Sequence, residues 1–232
     1  MDTFAEKWSY DVFVDAMTKL LHANEPKEDV FVRASFHVDE LLPGTRSRGL
    51  NTVLSAFVYE AASIVPRDGV HLKTSVWRRT PDFSIPSRAK VNGAYVNSVL
   101  ARQDAIDSGY DDCIFLDASG HVAELSAANI FIVRNGTLIT PGQNIDILEG
   151  INRRTVLELA GDLGIPTEER AIDLTELYVA DEVFVTGTSS FLSPVTVIDS
   201  RAIPSDGITK RLKEVYEESL TNPKTSKFLT QL

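Results

Sequence analysis

Apolar residues recur along this chain in two rhythms. From Ser9 to His22 they fall three and four apart, at Val12, Phe13, Ala16, Met17, Leu20 and Leu21. That spacing predicts an amphipathic helix, with Ser9 placed to cap it. From Val30 to Val38 the rhythm changes to alternation, the pattern of a strand. A polar turn at 24–28 separates the two, and the stretch 42–51, with Pro43, Gly44 and Gly49, reads as a loop. Two more strands are expected at 53–59 and 70–79. Between them, Pro66-Arg67-Asp68-Gly69 sets two breakers and two charges among apolar segments, so a domain boundary is expected there. The expected domains are 1–66, a partial small amino-terminal domain, and 67–232, a larger one.

The second part reads as short strands with helices between them. A helix is expected from Gly93 to Ser108, stopped by Gly109. Strands follow at 113–117, 121–125 and 130–134, the last running into Asn135-Gly136, a strong hairpin signal. A helix at 150–163 ends at Gly164, a strand follows near 169–172, and a short helix is expected at 174–180. Strands at 182–186 and 193–199 and a closing helix at 208–220 complete an α+β arrangement. No internal repeat or low-complexity tract interrupts it.

Composition narrows the function classes. The 232 residues are 43% hydrophobic, enough for a sizeable core, and carry a net charge of −10 with no lysine or arginine block. Nucleic acid and anionic membrane are therefore not expected as partners. The single cysteine, Cys113, lies in an apolar strand and fits a reducing compartment. No apolar run reaches the length of a membrane span, and the first residues lack a signal peptide's apolar region, so a cytoplasmic location is expected. The four histidines show no metal-ligand spacing.

Two residues carry the candidate chemistry. Lys90 sits among small and apolar residues, and Glu124 falls in mid-strand, where an inward carboxylate needs a partner. A lysine that forms a Schiff base and an acid that keeps a pyridine nitrogen protonated are the requirements of a pyridoxal 5′-phosphate (PLP) enzyme. An apolar setting would lower the lysine's pKa and leave its amine neutral. By strict alternation, Val122 and Glu124 share one strand face, and Ala123 and Leu125 the other.

Four blocks extend the pattern: Lys90-x-x-Gly93-x-Tyr95, Glu124-x4-Asn129-Ile130-Phe131, Leu148-Glu149-Gly150-Ile151-Asn152-Arg153, and Ala180 through Val185-Thr186-Gly187-Thr188. In this order they resemble the fold-type IV PLP enzymes, nearest to the branched-chain aminotransferases, over about 30–212. The resemblance implies an α+β fold with an incomplete small α/β domain and a larger pseudo-barrel. It implies catalysis through a Lys90 Schiff base and transfer of an amino group between an amino acid, expected to be branched-chain, and 2-oxoglutarate. It also implies a homodimer.

The resemblance also assigns roles. The Tyr95 hydroxyl would reach the cofactor's phenolic oxygen, and Glu124 its ring nitrogen. Leu148 would press on the ring, while the amides at Ile151 and Asn152, with the Thr188 hydroxyl, would face the phosphate. Arg33, Tyr59, Ser189 and Ser190 would contact substrate. Several departures stand out. Leu125-Ser126-Ala127-Ala128 replaces a glycine-rich turn, so that Ala127 brings a methyl group towards the ring. Asn152 replaces a threonine, and Phe31 stands where a tyrosine is expected. The phosphate-gripping arginine of the relatives and the opening strands of their small domain are expected to lie ahead of Met1. The chain on that reading is a fragment, a truncated gene product or a degenerate copy, and is expected to bind PLP more weakly. Three alternatives stay open: a D-amino-acid or amine transaminase, an enzyme like aminodeoxychorismate lyase, and a truncated, non-catalytic member of the fold.

Overall fold

The structure, a computed structural model, describes residues 7–40 and 49–221, so most of the breaker-rich stretch 42–51 lies outside the described residues. The chain divides into two compact units between Ala62 and Ser63. This division falls just ahead of the Pro66–Gly69 turn, because the segment before that turn is tied to the second unit. The Ile64 amide donates to the Ser189 carbonyl, Arg102 donates to the Ile64 carbonyl, and Val65 is buried in the second unit's core.

In the first unit, helix α1 (Tyr10–Asn24) starts where the Val12 amide donates to the Ser9 hydroxyl at 3.3 Å, the side-chain cap read from the sequence. Strands β1 (Val30–Val38) and β2 (Thr52–Glu60) pair antiparallel in unbroken register, from Val30 opposite Glu60 to Val38 opposite Thr52. Phe31 and Tyr59 are cross-strand neighbours with ring centroids 5.6 Å apart.

The second unit is built on a nine-stranded mixed sheet that curls into a half-barrel. Its strands are β3 (Val70–Arg78), β4 (Asp112–Leu116), β5 (Val122–Leu125), β6 (Asn129–Arg134), β7 (Thr137–Thr140), β8 (Thr167–Glu169), β9 (Glu182–Gly187), β10 (Phe191–Ile198) and β11 (Arg201–Ala202). They lie in the order β5-β4-β3-β10-β9-β6-β7-β8, with β11 paired to β10. The helices are α2 (Tyr95–Asp107), α3 (Ile151–Asp162), the short α4 (Leu174–Leu177) and α5 (Ile208–Thr221).

The central strands are buried on both faces. Ile130 and Ile132 of β6 enter one core with Val183 and Val185 of β9. Phe131 and Val133 enter another with Phe184, Val156, Leu159, Leu212 and Tyr216, under α3 and α5. Phe131 and Phe184 are paired across the two strands and stack at 4.9 Å. At the β6–β7 hairpin, Asn135 and Gly136 both take positive φ (49° and 77°), as a tight turn matched to strand twist requires. Cys113 is completely buried on β4, and burial pushes its thiol pKa well above the usual range.

Two expectations about strands are corrected. The strand expected at 169–172 lies at 167–169, parallel to β7; beyond it the chain leaves that edge and Asp173 bridges to His121 instead. Strict alternation also fails on β5. Its Leu125 pairs with Ile114 and its Val122 with Leu116, so four residues of β5 oppose three of β4. This bulge puts Val122 and Leu125 into the same core while Ala123 enters a different one. Glu124 is thereby aimed away from the core that holds Val122.

Candidate active site

A cavity of about 370 Å³ in the second unit is lined by Lys90, Tyr95, Glu124, Leu148, Ile151, Asn152 and Thr188. These residues come from the loop before α2, the first turn of α2, β5, the loop before α3, the first turn of α3 and the turn after β9. Residues spread over almost a hundred positions thus face one space. Ser189 and Ser190 are not among the lining residues. Ser190 is completely buried, its amide closes the turn onto the Gly187 carbonyl, and its own carbonyl accepts from the Ser193 hydroxyl. Arg33 and Tyr59 belong to the first unit; Arg33 is exposed on β1 opposite Phe57, and Tyr59 is exposed on β2.

Glu124 is only 5% exposed, so its carboxylate needs partners, and the structure supplies three. Arg79 Nη2 approaches Oε1 at 2.8 Å. Asn129 Nδ2 and the Leu148 amide donate to Oε2 at 3.0 and 3.1 Å. A carboxylate has room for about four donors, so one acceptor position remains for a ring N–H on the pocket side. Desolvation outweighs the cations Arg79 and Lys90 and the Leu148 amide: the Glu124 pKa is pushed up to about 7 from an ordinary 4.5.

This shift has a measurable consequence for the cofactor-free chain. The folded state keeps its Glu124 proton up to about pH 7 and the unfolded state releases it near 4.5. Between these limits the folded state binds more protons, so the contribution of Glu124 to stability falls as pH rises and is level above pH 7. The change amounts to about 3 kcal/mol. Urea unfolding from pH 4 to 8 should show the decline in the wild-type chain and a flatter curve in Glu124→Gln. Parallel curves would mean that Glu124 titrates normally.

Sequence reasoning missed Arg79, which reaches Glu124 from just beyond β3; nothing in a strand-end Arg78-Arg79 pair tells which side chain turns inward. Arg79 also donates to the Asp146 carbonyl at 3.2 Å, tying the end of β3 to the loop before α3. Ser87 was missed too: its hydroxyl is buried in the pocket wall without a hydrogen-bond partner among the described residues. The desolvated setting expected for Lys90 is corrected. Lys90 is exposed at the pocket, because the segment leading to it (80–89) is largely solvent-facing and only Ser87 is buried.

The remaining wall suits a phosphorylated ring. Gly150, at the amino-terminal cap of α3, brings no side chain to the first-turn amides, which point outward unpaired. Across the pocket, a Cβ on Gly187 would lie 3.1 Å from the Ala127 carbonyl. Glycine at 187 therefore lets the end of β9 pass close to the Ala127 backbone. The orphaned Ser87 hydroxyl, the uncapped helix end, the amine and the buried acid together fit PLP.

The amino-transferase class IV family model matches residues 7–198. A probable branched-chain-amino-acid aminotransferase of Aquifex aeolicus is 42% identical over 214 residues, covering 90% of this chain and 69% of the relative. The crystal structure of a Thermoproteus uzoniensis branched-chain aminotransferase with norvaline superposes with a TM-score of 0.90 at 37% identity, over 92% of this chain and 72% of that one. A branched-chain amino acid aminotransferase from T.th., complexed with N-(5′-phosphopyridoxyl)-L-glutamate, gives 0.83 at 33% identity, over 96% and 75%.

Proposed function

Because this chain belongs to the class IV aminotransferases and has their fold-type IV architecture, we propose that it moves the amino group of a branched-chain amino acid to 2-oxoglutarate, with Lys90 holding PLP as a Schiff base. The observation that carries this reading is the placing of Lys90 and Glu124 on one cavity, with the open end of α3 in the same wall. One structural relative holds a phosphopyridoxyl-glutamate adduct and another norvaline, an unbranched aliphatic amino acid, which supports glutamate as one partner and an aliphatic amino acid as the other.

The cofactor, PLP, supplies an electron sink for charge that develops on the substrate carbon. The protein contributes positioning and proton control. The Lys90 amine would hold the cofactor and, once released, would move the proton at the substrate carbon. Glu124, compensated by Arg79, keeps the ring nitrogen protonated. The Tyr95 hydroxyl serves the phenolic oxygen, Leu148 packs on the ring, and the amides at Ile151 and Asn152 with Thr188 take the phosphate. Asn152 can donate its side-chain NH2 where a threonine would donate a hydroxyl. Arg33, for the carboxylate, and Tyr59, for the apolar side chain, are kept as proposed substrate residues of the first unit, and Ser189 as one of the second. Ser190, whose side chain is buried and whose amide is engaged, acts only through the shape of the turn.

A panel of L-leucine, L-valine and D-alanine with 2-oxoglutarate tests the reading. Glutamate formation with the two branched-chain substrates and none with D-alanine is expected. Turnover of D-alanine alone, or of none, would overturn it.

We also propose a homodimer in the cytoplasm. Val96 (66% exposed), Val99 (65%), Leu100 (44%) and Ile106 (45%) leave an apolar stripe on the outer side of α2, the kind of face a second copy would cover. Among the described residues no helix is long and apolar enough to cross a membrane. Sedimentation at micromolar concentration should give twice the chain mass; a monomer would refute the dimer.

A further inference from the structure

We propose that Asn129 is a positioning residue that holds Glu124 and the entry to α3 in one geometry, so that a single side chain sets the pocket at both ends of the cofactor. The inference rests on the PLP reading above and adds a residue to it. Asn129 is the first residue of β6 and 6% exposed. Its Nδ2 donates to Glu124 Oε2 at 3.0 Å and to the Leu148 carbonyl at 2.9 Å. The Leu148 amide donates to the same Glu124 Oε2 at 3.1 Å, which closes a ring of three residues from β5, β6 and the loop before α3.

Both protons of the amide are used, and this fixes its orientation. Turning the carboxamide over would set its oxygen against a carboxylate and a carbonyl, two acceptors. No other side chain of this size does the same work: aspartate offers no donor when ionised, and serine has one proton and a shorter reach. The backbone is fitted to the amide in turn. A side chain at Gly150 would collide with Asn129 Oδ1, and the Gly150 amide donates back to the Leu148 carbonyl at 2.8 Å. Asn129 thus touches Leu148 and Gly150 on the approach to the first-turn amides, as well as the acid opposite the ring nitrogen. The charged groups facing that acid are Arg79 at Oε1 and Lys90 across the pocket.

Asn129→Asp, which keeps the shape, and Asn129→Ala test the proposal beside Glu124→Gln. Two probes are titrated into the PLP-free chain: pyridoxamine 5′-phosphate by calorimetry, since it makes no covalent link to Lys90, and inorganic phosphate by phosphorus NMR. Thermal melts show which variants are folded, and the near-isosteric Asp variant carries the test if Ala does not fold. Both Asn129 variants should bind pyridoxamine 5′-phosphate about tenfold or more weakly, the scale expected for a lost charge-assisted hydrogen bond. They should also bind phosphate several-fold more weakly, whereas Glu124→Gln should leave phosphate binding unchanged. Unaltered phosphate affinity in folded Asn129 variants would mean that Asn129 serves Glu124 alone, and would overturn the coupling. A wild-type chain that fails to bind pyridoxamine 5′-phosphate would instead bring down the PLP reading, and this proposal with it.

Discussion

Replacement of Lys90 by alanine is expected to lower transamination by at least about a thousandfold, because one amine is asked both to hold the cofactor and to move the proton. The loss should fall on the chemical step and leave the fold intact. Lys90 is exposed, makes no core contact, and lies on a loop held by other side chains. Arg88 anchors that loop by donating to Glu149 and to the Gln143 carbonyl at 2.7 Å each, and the Ser87 amide donates to Asp82 at 2.8 Å. Melting curves of wild type and Lys90→Ala in the absence of PLP should therefore coincide within a few degrees. Borohydride reduction of the wild-type holoenzyme followed by peptide mapping should put the pyridoxyl group on Lys90. Label on another lysine, or an Ala variant with near-normal turnover, would remove Lys90 from the chemistry.

The second large effect concerns Arg79. Removal of one partner from a buried ion pair often costs about 3–5 kcal/mol, because the other charge is left stranded. Here the stranded group has an escape. With a pKa already at about 7, Glu124 can take up a proton at neutral pH and become uncharged. In Arg79→Met the electrostatic part of the stability loss should thus be small at pH 7, growing by about 1.4 kcal/mol per pH unit above it. Function has no such escape, since an uncharged carboxyl cannot keep the ring nitrogen protonated. Arg79 is the leading influence that holds the Glu124 pKa down, so without it the alkaline shift should be at least about one unit, and the ionised fraction at pH 7 should drop about fivefold or more. The rate–pH profile of the half-reaction with L-leucine should move to higher pH accordingly. A profile that superposes on wild type would show that Arg79 does not act through Glu124.

How far the sequence disclosed this site depends on the distance over which each residue acts. Seven residues that meet at the pocket could be named in advance through the family resemblance, which short contiguous blocks carry: a helix start at Ile151, a strand-exit turn at Thr188, a loop before a helix at Lys90. Arg79 and the role of Asn129 escaped, because their partners are 45 residues away at Glu124 and 19 away at Leu148, joined through the sheet. The facing of β5 was misjudged for a related reason. A bulge is a property of the pair of strands, and the residues Val122–Leu125 alone carry no sign that β4 opposes them with one residue fewer. The exposure of Lys90 was likewise invisible: small and apolar neighbours in sequence did not become a wall around its amine.

Cys113 has a practical use for anyone who handles this protein. It is the one thiol in the chain, completely sealed in β4 between β3 and β5, and burial keeps its proton on. A maleimide or disulfide reagent can react only when that part of the sheet opens, and each chain can react only once. The native protein therefore carries its own single-hit clock. The rate of labelling reads the frequency with which the sheet around β4 opens, and a ligand that binds only the folded chain should slow any opening that requires unfolding, without touching the sulfur.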